Sequence, residues 1–439
     1  MFNLVQAGQV RKCLAIFVVT GACGLAQVDP GVRGGTAGAG GPITGLTAGE
    51  TDMFNHVATP AFNEVENVSQ GLGPRFNLDS CAGCHAQPAV GGSSPATNPQ
   101  FAQAATMAPG NTIPSFISQN GPVREARFIK NSDGSLDGGV HDLFTIAGRP
   151  DKPAGCSIQQ PNFAQQLTNN NVIFRIPTPT FGDGLIEAIT DTTIKNNVAS
   201  SPFLKALFGI KGHVNTNGND GTVTRFGWKA QNKSLLVFAG EAYNVEMGVT
   251  NENFPNEREE DPNCATNGTP ESDDTFNVGS MGPSDITSFR AFMRFLDQPA
   301  PVSSYGSVTA ASIQNGSNLF ALAGCSLCHT PSLATGSSGT AALSHVQANL
   351  FSDLAVHHMG AALADGINQG TAGPDEFRSA PLWGLGQRIF FLHDGRTSDL
   401  LQAIEDHASS GSEASRTVSL FNALSKSQKQ DVLNFLRSL

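Results

Sequence analysis

The chain has 439 residues, of which 39% are hydrophobic and only 14% charged, with 48 glycines and 25 prolines. This composition excludes a coiled coil and a disordered chain, and the length exceeds what one ordinary core can bury, which indicates two domains or more. The net charge of −11 and the lack of a Lys/Arg-rich cluster argue against a nucleic-acid partner and favour a cationic protein partner.

The first 26 residues have the features of an export signal. Arg11 and Lys12 precede the apolar run CLAIFVVTGACGLA, which is too short to span a membrane and ends in small residues. The sequence therefore predicts a periplasmic or otherwise exported protein.

Two interpretations of this signal stay open. Cleavage could follow Ala26, or Cys23 could be acylated and become a lipid anchor. The glycine-rich segment 27–46 is expected to be flexible, and behind an acylated Cys23 it would be a tether.

The next part, residues 47–298, is expected to be one domain with insertions. Its first stretch has a helical pattern that brings Phe54, Val57 and Phe62 to one face. This helix leads to the motif CAGCH at 81–85, in which two cysteines three residues apart are followed directly by histidine.

The remaining cysteines indicate a disulfide. Four of the eight cysteines belong to two C-x-x-C-H motifs, and Cys13 lies in the export signal. If Cys23 is removed or acylated, Cys156 and Cys264 remain as a pair. In an oxidising compartment we expect them to be bonded, and two free thiols are the alternative.

A proline-containing stretch, 299–308, is the predicted linker to a second domain at 309–439. There Ile313, Leu319 and Phe320 form an apolar helical face, which precedes the motif CSLCH at 325–329. The second motif therefore has the same context as the first.

Both motifs predict covalent attachment of haem c. Cysteines at i and i+3 lie on one side of a turn and can reach the two vinyl groups of one porphyrin, while the histidine at i+4 can ligate the iron. The predicted attachment and ligand residues are Cys81, Cys84 and His85 for one haem, and Cys325, Cys328 and His329 for the other.

Two rival interpretations use the same cysteine pairs. A zinc site formed by both pairs leaves the two histidines unexplained. A thioredoxin-like redox pair needs a strand-to-helix context that is absent from the sequence around either motif. Two c-type haems account for all six residues.

A weaker internal similarity between 175–191 and 378–407 suggests that the two halves arose by duplication.

Five segments together resemble the di-haem oxidoreductase family, whose members are described as peroxidases and have also been labelled thiol oxidoreductases. They are 71–100, 175–189, 225–230, 246–255 and 377–407, which span nearly the whole mature chain. The C-terminal half is further similar to bacterial di-haem cytochrome c peroxidases. The resemblance implies a mainly α fold with long loops and minor β structure, in which two cytochrome-c-like domains face each other.

The resemblance also implies a division of labour between the haems. His407 matches the place of a Met or His ligand in relatives, which implies His329/His407 coordination and an electron-transfer role for the C-terminal haem. Its rivals are Met359, His357 and His358, and a helix-end surface histidine is the alternative.

The N-terminal haem is then the expected catalytic centre. Glu187 lies where peroxidase relatives place a distal acid, although the surrounding motif departs from theirs, and a carboxylate in the first turn of a helix is the alternative interpretation. His141 and Met247 could ligate this iron in a resting state.

Four further residues are expected near the haems. Arg175 and Arg378 could pair with haem propionates. Trp228 and Trp383 could carry electrons between the haems or pack against them. Related peroxidases also imply a Ca²⁺ ion between the domains, but the sequence has no calcium-loop pattern.

The sequence thus predicts an exported di-haem peroxidase-like oxidoreductase. A small periplasmic donor, a c-type cytochrome or a cupredoxin, would supply electrons at the C-terminal haem, and hydrogen peroxide, a small-molecule oxidant, would be reduced at the N-terminal haem. The alternatives are a non-catalytic di-haem electron carrier and an oxygen- or thiol-dependent oxidoreductase.

Overall fold

A computed structural model of the chain describes residues 27–73, 75–106, 111–136, 146–147, 149–256, 261–264, 268–276 and 282–439. Over these residues the protein is mainly helical with minor β structure, as predicted. The export signal and Cys23 lie outside the described residues, so both interpretations of them stay predictions. No helix in the described ranges has both the length and the apolar character needed to cross a bilayer.

The first part of the chain begins with one extended helical element. Helix α1 (Ala48–Met53) continues through a π-helical turn (Phe54–Ala58) into α2 (Thr59–Asn63). Thr47 and Glu50 cap its start reciprocally, because each side chain accepts a hydrogen bond from the other's backbone N–H. The further α-helices of this part are α3 (Cys81–Cys84), α4 (Pro99–Thr106), α5 (Phe163–Thr168), α6 (Asp183–Ala188), α7 (Asp191–Val198), α8 (Pro202–Phe208), α9 (Leu235–Met247) and α10 (Asp285–Phe295).

The second part has fewer helices. They are α11 (Ala310–Leu322), α12 (Leu400–Glu405), α13 (Ser415–Ala423) and α14 (Lys426–Ser438). Short 3₁₀ turns occur at Val68–Gln70, Pro262–Cys264, Cys325–Leu327, Ala341–Leu343 and Leu385–Gln387.

The strands are short and form antiparallel pairs. The pairs are β1 (Arg75–Phe76) with β3 (Ile146–Ala147), β2 (Glu125–Phe128) with β4 (Val172–Arg175), β5 (Leu333–Ala334) with β6 (Gln347–Ala348), and β7 (Val356–His358) with β8 (Glu376–Arg378). Such small pairs are not stable alone, so packing against the helices and loops must hold them.

Two large apolar clusters form the core. In the first, Phe54 and Phe62 stack on Phe292 of α10, with ring centroids 5.5 and 4.1 Å apart. The second is built mainly from α11 to α14, and Leu319 and Phe320 are buried in it as predicted. The first cluster also contains side chains from 333–354, which follow the predicted linker. The two predicted haem domains therefore share a core.

The glycine-rich segment 27–46, which the sequence suggests is flexible, has several contacts with distant parts of the chain. The carboxylate of Asp29 accepts hydrogen bonds from the buried guanidinium of Arg437 in α14, at 2.7 and 2.6 Å. Backbone bonds from Arg33 to the Gly386 carbonyl and from Ile43 to the Phe295 carbonyl extend this attachment. Composition suggested flexibility, but these distant partners hold the segment on the protein surface.

The predicted disulfide between Cys156 and Cys264 is confirmed. Both cysteines are buried and form a small apolar cluster with Ile158. The bond joins loops 108 residues apart in the sequence.

Replacing both cysteines with serine is expected to lower the free energy of unfolding by about 2–4 kcal/mol, because the bond restricts a long loop in the unfolded chain. Denaturant titration of the wild type and the double variant, each with and without reductant, measures this. Reductant should destabilise only the wild type. Equal stability of the oxidised wild type and the variant would contradict the prediction.

Candidate haem sites

Both C-x-x-C-H motifs fold into similar tight turns. In the first, the backbone N–H of His85 donates to the Cys81 carbonyl at 3.0 Å, and in the second that of His329 donates to the Cys325 carbonyl at 2.9 Å. The four cysteines of the motifs form no disulfide. Each turn therefore presents two thiols and a histidine from five consecutive residues, as covalent haem attachment requires.

The two motif histidines are oriented in the same way. Nδ1 of His85 lies 3.0 Å from the Gly92 carbonyl oxygen, and Nδ1 of His329 lies 3.0 Å from that of Phe351. A carbonyl can only accept, so each Nδ1 carries the proton and each Nε2 keeps its lone pair for a metal. Burial lowers the pKa of both imidazoles to about 4, which keeps them neutral and able to ligate.

An aromatic ring supports each of these histidines. Phe62, at the end of the helix that precedes the first motif, lies edge-on to His85 with centroids 6.1 Å apart. Phe320, in the helix before the second motif, lies 6.3 Å from His329. The predicted apolar helix faces therefore restrict the ligand histidines as well as filling the core.

A cavity adjoins the first motif, and Cys81, Cys84 and His85 line it. Most of its other walls are apolar. The polar exceptions include two carboxyl groups, those of Glu125 at the start of β2 and Glu246 at the end of α9. A largely apolar cavity with a few convergent polar groups is typical of a cofactor or active site.

Glu246 is the acid best placed in this cavity. Burial is the main reason that its pKa rises to about 8; the negative charge of Glu125 adds to the effect, and Arg127 opposes it. The carboxyl group is therefore protonated at neutral pH and can both donate and accept a proton.

Glu187, the predicted distal acid, lies elsewhere. One of its carboxylate oxygens accepts a hydrogen bond from the backbone N–H of Leu235 at 3.0 Å, and the other is paired with Arg294. Glu187 does not line the cavity of either motif. The placement at the N-terminus of α9 explains its charge without a haem, so we move the proposed acid role to Glu246.

A large cavity adjoins the second motif, and both His329 and His407 line it. Nδ1 of His407 lies 2.6 Å from the Ala403 carbonyl oxygen in the preceding turn of α12. As with the motif histidines, this bond leaves Nε2 as the free nitrogen, and burial lowers the pKa of His407. The structure thus brings together the two histidines that the sequence paired.

The rival ligands differ in how well they fit. His357 lines the second cavity, but its ring nitrogens lie 2.9 Å from the Glu413 carboxylate and 3.1 Å from that of Asp353. His358 is half exposed and does not line the cavity. Met359 lines the second cavity, so among the three rivals it remains the alternative to His407 as a ligand.

Two buried arginines give the second cavity a positive wall. Arg378 donates from Nε to the Gly227 carbonyl at 3.0 Å, and neither Arg378 nor Arg388 forms an ion pair with a described carboxylate. Burial lowers the pKa of each guanidinium to about 10; Asp183 partly offsets this at Arg378, whereas Arg378 repels Arg388. Two mutually repelling buried cations need an anionic group, and haem propionates would supply one.

Arg175 takes the corresponding place at the first cavity. It lines that cavity and is paired with the buried carboxylate of Asp365. Its buried Nε has no hydrogen-bond partner among the described residues, which suits an anionic group in the cavity. With the thiols, histidines and arginines in these positions, both sites fit a haem c.

A smaller cavity lies between the other two, and Trp228 connects them. Trp228 lines both the intermediate and the second cavity, and its Nε1 donates to the Ile176 carbonyl at 3.0 Å. Ile176 in turn lines the first and the intermediate cavity. Trp383, by contrast, is buried in the first core against Gly182 and lines none of these cavities. Its predicted contact with a cofactor is therefore not seen.

The remaining predicted ligands are less informative. Met247 lines the first cavity, with its sulfur 3.7 Å from that of Cys81, which places it at the cysteine edge. His141 lies outside the described residues. No group of three or more His, Cys, Asp or Glu side chains in the described ranges is arranged to hold a metal ion, and the Ca²⁺ ion stays a prediction.

Sequence reasoning missed three residues that line the cavities: Glu246, Arg388 and His393. Glu246 lies in a segment, 246–255, that was noted only for its resemblance to the family. Its position directly before Met247, a suspected ligand, was the signal that could have identified it. His393 stacks on Phe377 at 4.2 Å and has no comparable signal in the sequence.

Comparison with known proteins identifies one family. A sequence model described as "Di-haem oxidoreductase, putative peroxidase" matches residues 125–439. The matched region includes Glu246, the second motif and the whole lining of the second cavity, but begins after Cys81–His85. No curated protein matches the chain.

Two solved structures are among the matches. A MauG-like protein associated with microbial copper homeostasis is 16% identical with a TM-score of 0.28, and the match covers 52% of this chain and 76% of that one. Hydrazine synthase from Kuenenia stuttgartiensis is 16% identical with a TM-score of 0.24, and the match covers 36% of this chain and just over half, 56%, of that one.

Proposed function

Because the chain belongs to the di-haem oxidoreductase family, we propose that it is an exported peroxidase with two covalently bound haems. Cys81 and Cys84 would hold the first, and Cys325 and Cys328 the second. When bound, the haems supply the redox chemistry and an iron that binds peroxide. Hydrogen peroxide would take up two electrons and two protons to give two waters.

The observation that carries this proposal is the difference between the two cavities. The second cavity contains a further neutral histidine, His407, that could close the coordination of its iron. Among the described residues, the first cavity contains no histidine besides His85, and the carboxyl groups of Glu125 and Glu246 line it instead. A haem with two strong protein ligands can only transfer electrons, so substrate chemistry belongs in the first cavity.

Glu246 would transfer the protons during peroxide reduction. Cleavage of the O–O bond requires a proton to leave one peroxide oxygen and another to reach the leaving oxygen. A protonated carboxyl group can donate its O–H to the leaving oxygen while its carbonyl oxygen accepts from the other. The apolar surroundings that raise the pKa of Glu246 also prevent water from competing.

Trp228 would be the bridge for electrons between the haems. It reaches the second cavity directly and the first through its hydrogen bond to the Ile176 carbonyl. An indole that lines the second cavity and is hydrogen-bonded to a residue lining the first would shorten the gap that an electron must cross.

The electron donor would be a small periplasmic redox protein, a c-type cytochrome or a cupredoxin. The net charge of −11 favours a cationic donor surface. The disulfide between Cys156 and Cys264 supports an oxidising compartment, whether the protein is free there or anchored through Cys23.

Expression with a working cytochrome maturation system tests the function. The purified protein should be coloured and have the mass of the mature chain plus two haems, and its oxidised spectrum should contain one high-spin and one low-spin haem. It should reduce hydrogen peroxide, with oxygen and thiols assayed in parallel. A colourless protein would contradict the haem assignment, and two low-spin haems without turnover would indicate an electron carrier.

A further inference from the structure

A carboxyl group outside the haem cavities has no evident structural purpose. Glu66, which follows α2, is 5% exposed. One of its oxygens accepts a hydrogen bond from the hydroxyl of Tyr243 at 3.1 Å, and the other is buried without a hydrogen-bond partner. Burial of a carboxyl group that is only half satisfied is costly, which suggests a functional reason.

The electrostatic surroundings of Glu66 are acidic. Burial is the main cause that raises its pKa to about 8, and the charges of Asp285, Glu64 and Asp273 raise it further, whereas the hydrogen bond from Tyr243 lowers it. No cation is among these principal influences. Glu66 therefore holds a proton at neutral pH instead of forming an ion pair.

Glu66 is linked to the first cavity through Tyr243, and acidic groups at the surface act on it. On the outer side, Glu64 and Asp273 are exposed, and the buried Asp285 carries a pKa raised to about 7. On the inner side, Tyr243 lines the first cavity, and its own pKa is raised by burial and by the charge of Glu66. Tyr243 therefore joins Glu66 to the cavity, and two of the acidic groups whose charges act on Glu66 are at the surface.

We propose that Glu66 and Tyr243 form the proton-uptake route of the first cavity. The inference rests on the proposed function, because each peroxide reduced there requires two protons from solvent. In each step the hydroxyl of Tyr243 turns from Glu66 to the cavity and releases its proton there, Glu66 reprotonates the phenol oxygen, and Glu66 then takes a proton from solvent. One proton crosses in each step, no electron moves, and all groups return to their initial state.

Two variants test the route with little change in shape. Glu66→Gln keeps an oxygen that accepts from Tyr243 but cannot release a proton at neutral pH, and Tyr243→Phe removes only the hydroxyl. With haem content unchanged, each should lower peroxide turnover by about a hundredfold and increase the solvent isotope effect. The control is Tyr305→Phe, since the hydroxyl of Tyr305 bonds the Asn434 carbonyl away from both motifs.

A second measurement does not depend on catalysis. A carboxyl group whose folded pKa is raised to about 8 makes the protein lose stability as pH rises from the unfolded pKa through about 8. The thermal midpoint of the wild type should therefore fall over this range, and it should fall less in Glu66→Gln. Tyr305→Phe should follow the wild type.

The outcomes separate the two proposals. If the wild type reduces peroxide while both variants match Tyr305→Phe in turnover and isotope effect, the route is wrong and the peroxidase stands. If the pH dependence of unfolding is unchanged in Glu66→Gln, Glu66 does not store a proton and the route is also wrong. If the loaded wild type does not reduce peroxide, the proposed function is wrong and the route with it.

Discussion

Replacement of Glu246 with glutamine is expected to lower the kcat for peroxide reduction by about 10²–10⁴-fold, the usual contribution of a positioned acid–base group. Glutamine has nearly the same shape, so both haems and the cavity should be retained. What is lost is the O–H that would donate to the leaving oxygen. Stopped-flow kinetics of the loaded protein at saturating peroxide measures the effect.

The matched comparison is Glu187→Gln, because the sequence favoured Glu187 for the same role. Its carboxylate is held by Arg294 and by the backbone of Leu235, so its replacement should affect stability but leave the kcat of the folded fraction nearly unchanged. A large loss in Glu187→Gln with none in Glu246→Gln would reverse our assignment. Haem content and circular dichroism of both variants exclude misfolding as the cause.

Replacement of His407 with alanine is expected to convert the C-terminal haem from low-spin to high-spin. The free nitrogen of His407 is the sixth ligand that we propose for this iron, and alanine leaves that position open. Electron paramagnetic resonance of the oxidised protein should then show two high-spin haems. Turnover driven by a protein donor should fall, since electrons would enter through an altered centre.

The control for this experiment is His358→Ala, which removes a half-exposed histidine outside the cavity and should leave the spectrum unchanged. A low-spin haem that persists in His407→Ala would rule out His407. If the low-spin signal then disappears in Met359→Leu, Met359 is the ligand, since its side chain lines the same cavity.

The sequence predicted what depends on local covalent chemistry. Each C-x-x-C-H turn is recognised from five consecutive residues. The disulfide was predicted because two cysteines, Cys156 and Cys264, remain after the others are assigned. His407 was reached only through resemblance, but the structure places it in the predicted cavity. The origin of the two halves by duplication stays a prediction.

The sequence could not place residues whose partners are distant in sequence. A glutamate near the start of a short helix has the same local pattern whether it faces a haem or an arginine. Only the packing of α6 against α9 and α10 shows that Glu187 does the latter. In the same way, a glycine-rich composition indicates flexibility unless an ion pair such as Asp29–Arg437 holds the segment, and no local pattern reveals that pair.

That ion pair also constrains the order of events during biogenesis. Its partners are separated by 408 residues, so in a chain that emerges amino terminus first Asp29 has no ion-pair partner until the last helix arrives. The second cavity closes equally late, because Val432 and Leu436 belong to its wall. Attachment enzymes would therefore meet Cys325 and Cys328 in an open chain, before the last helix encloses them.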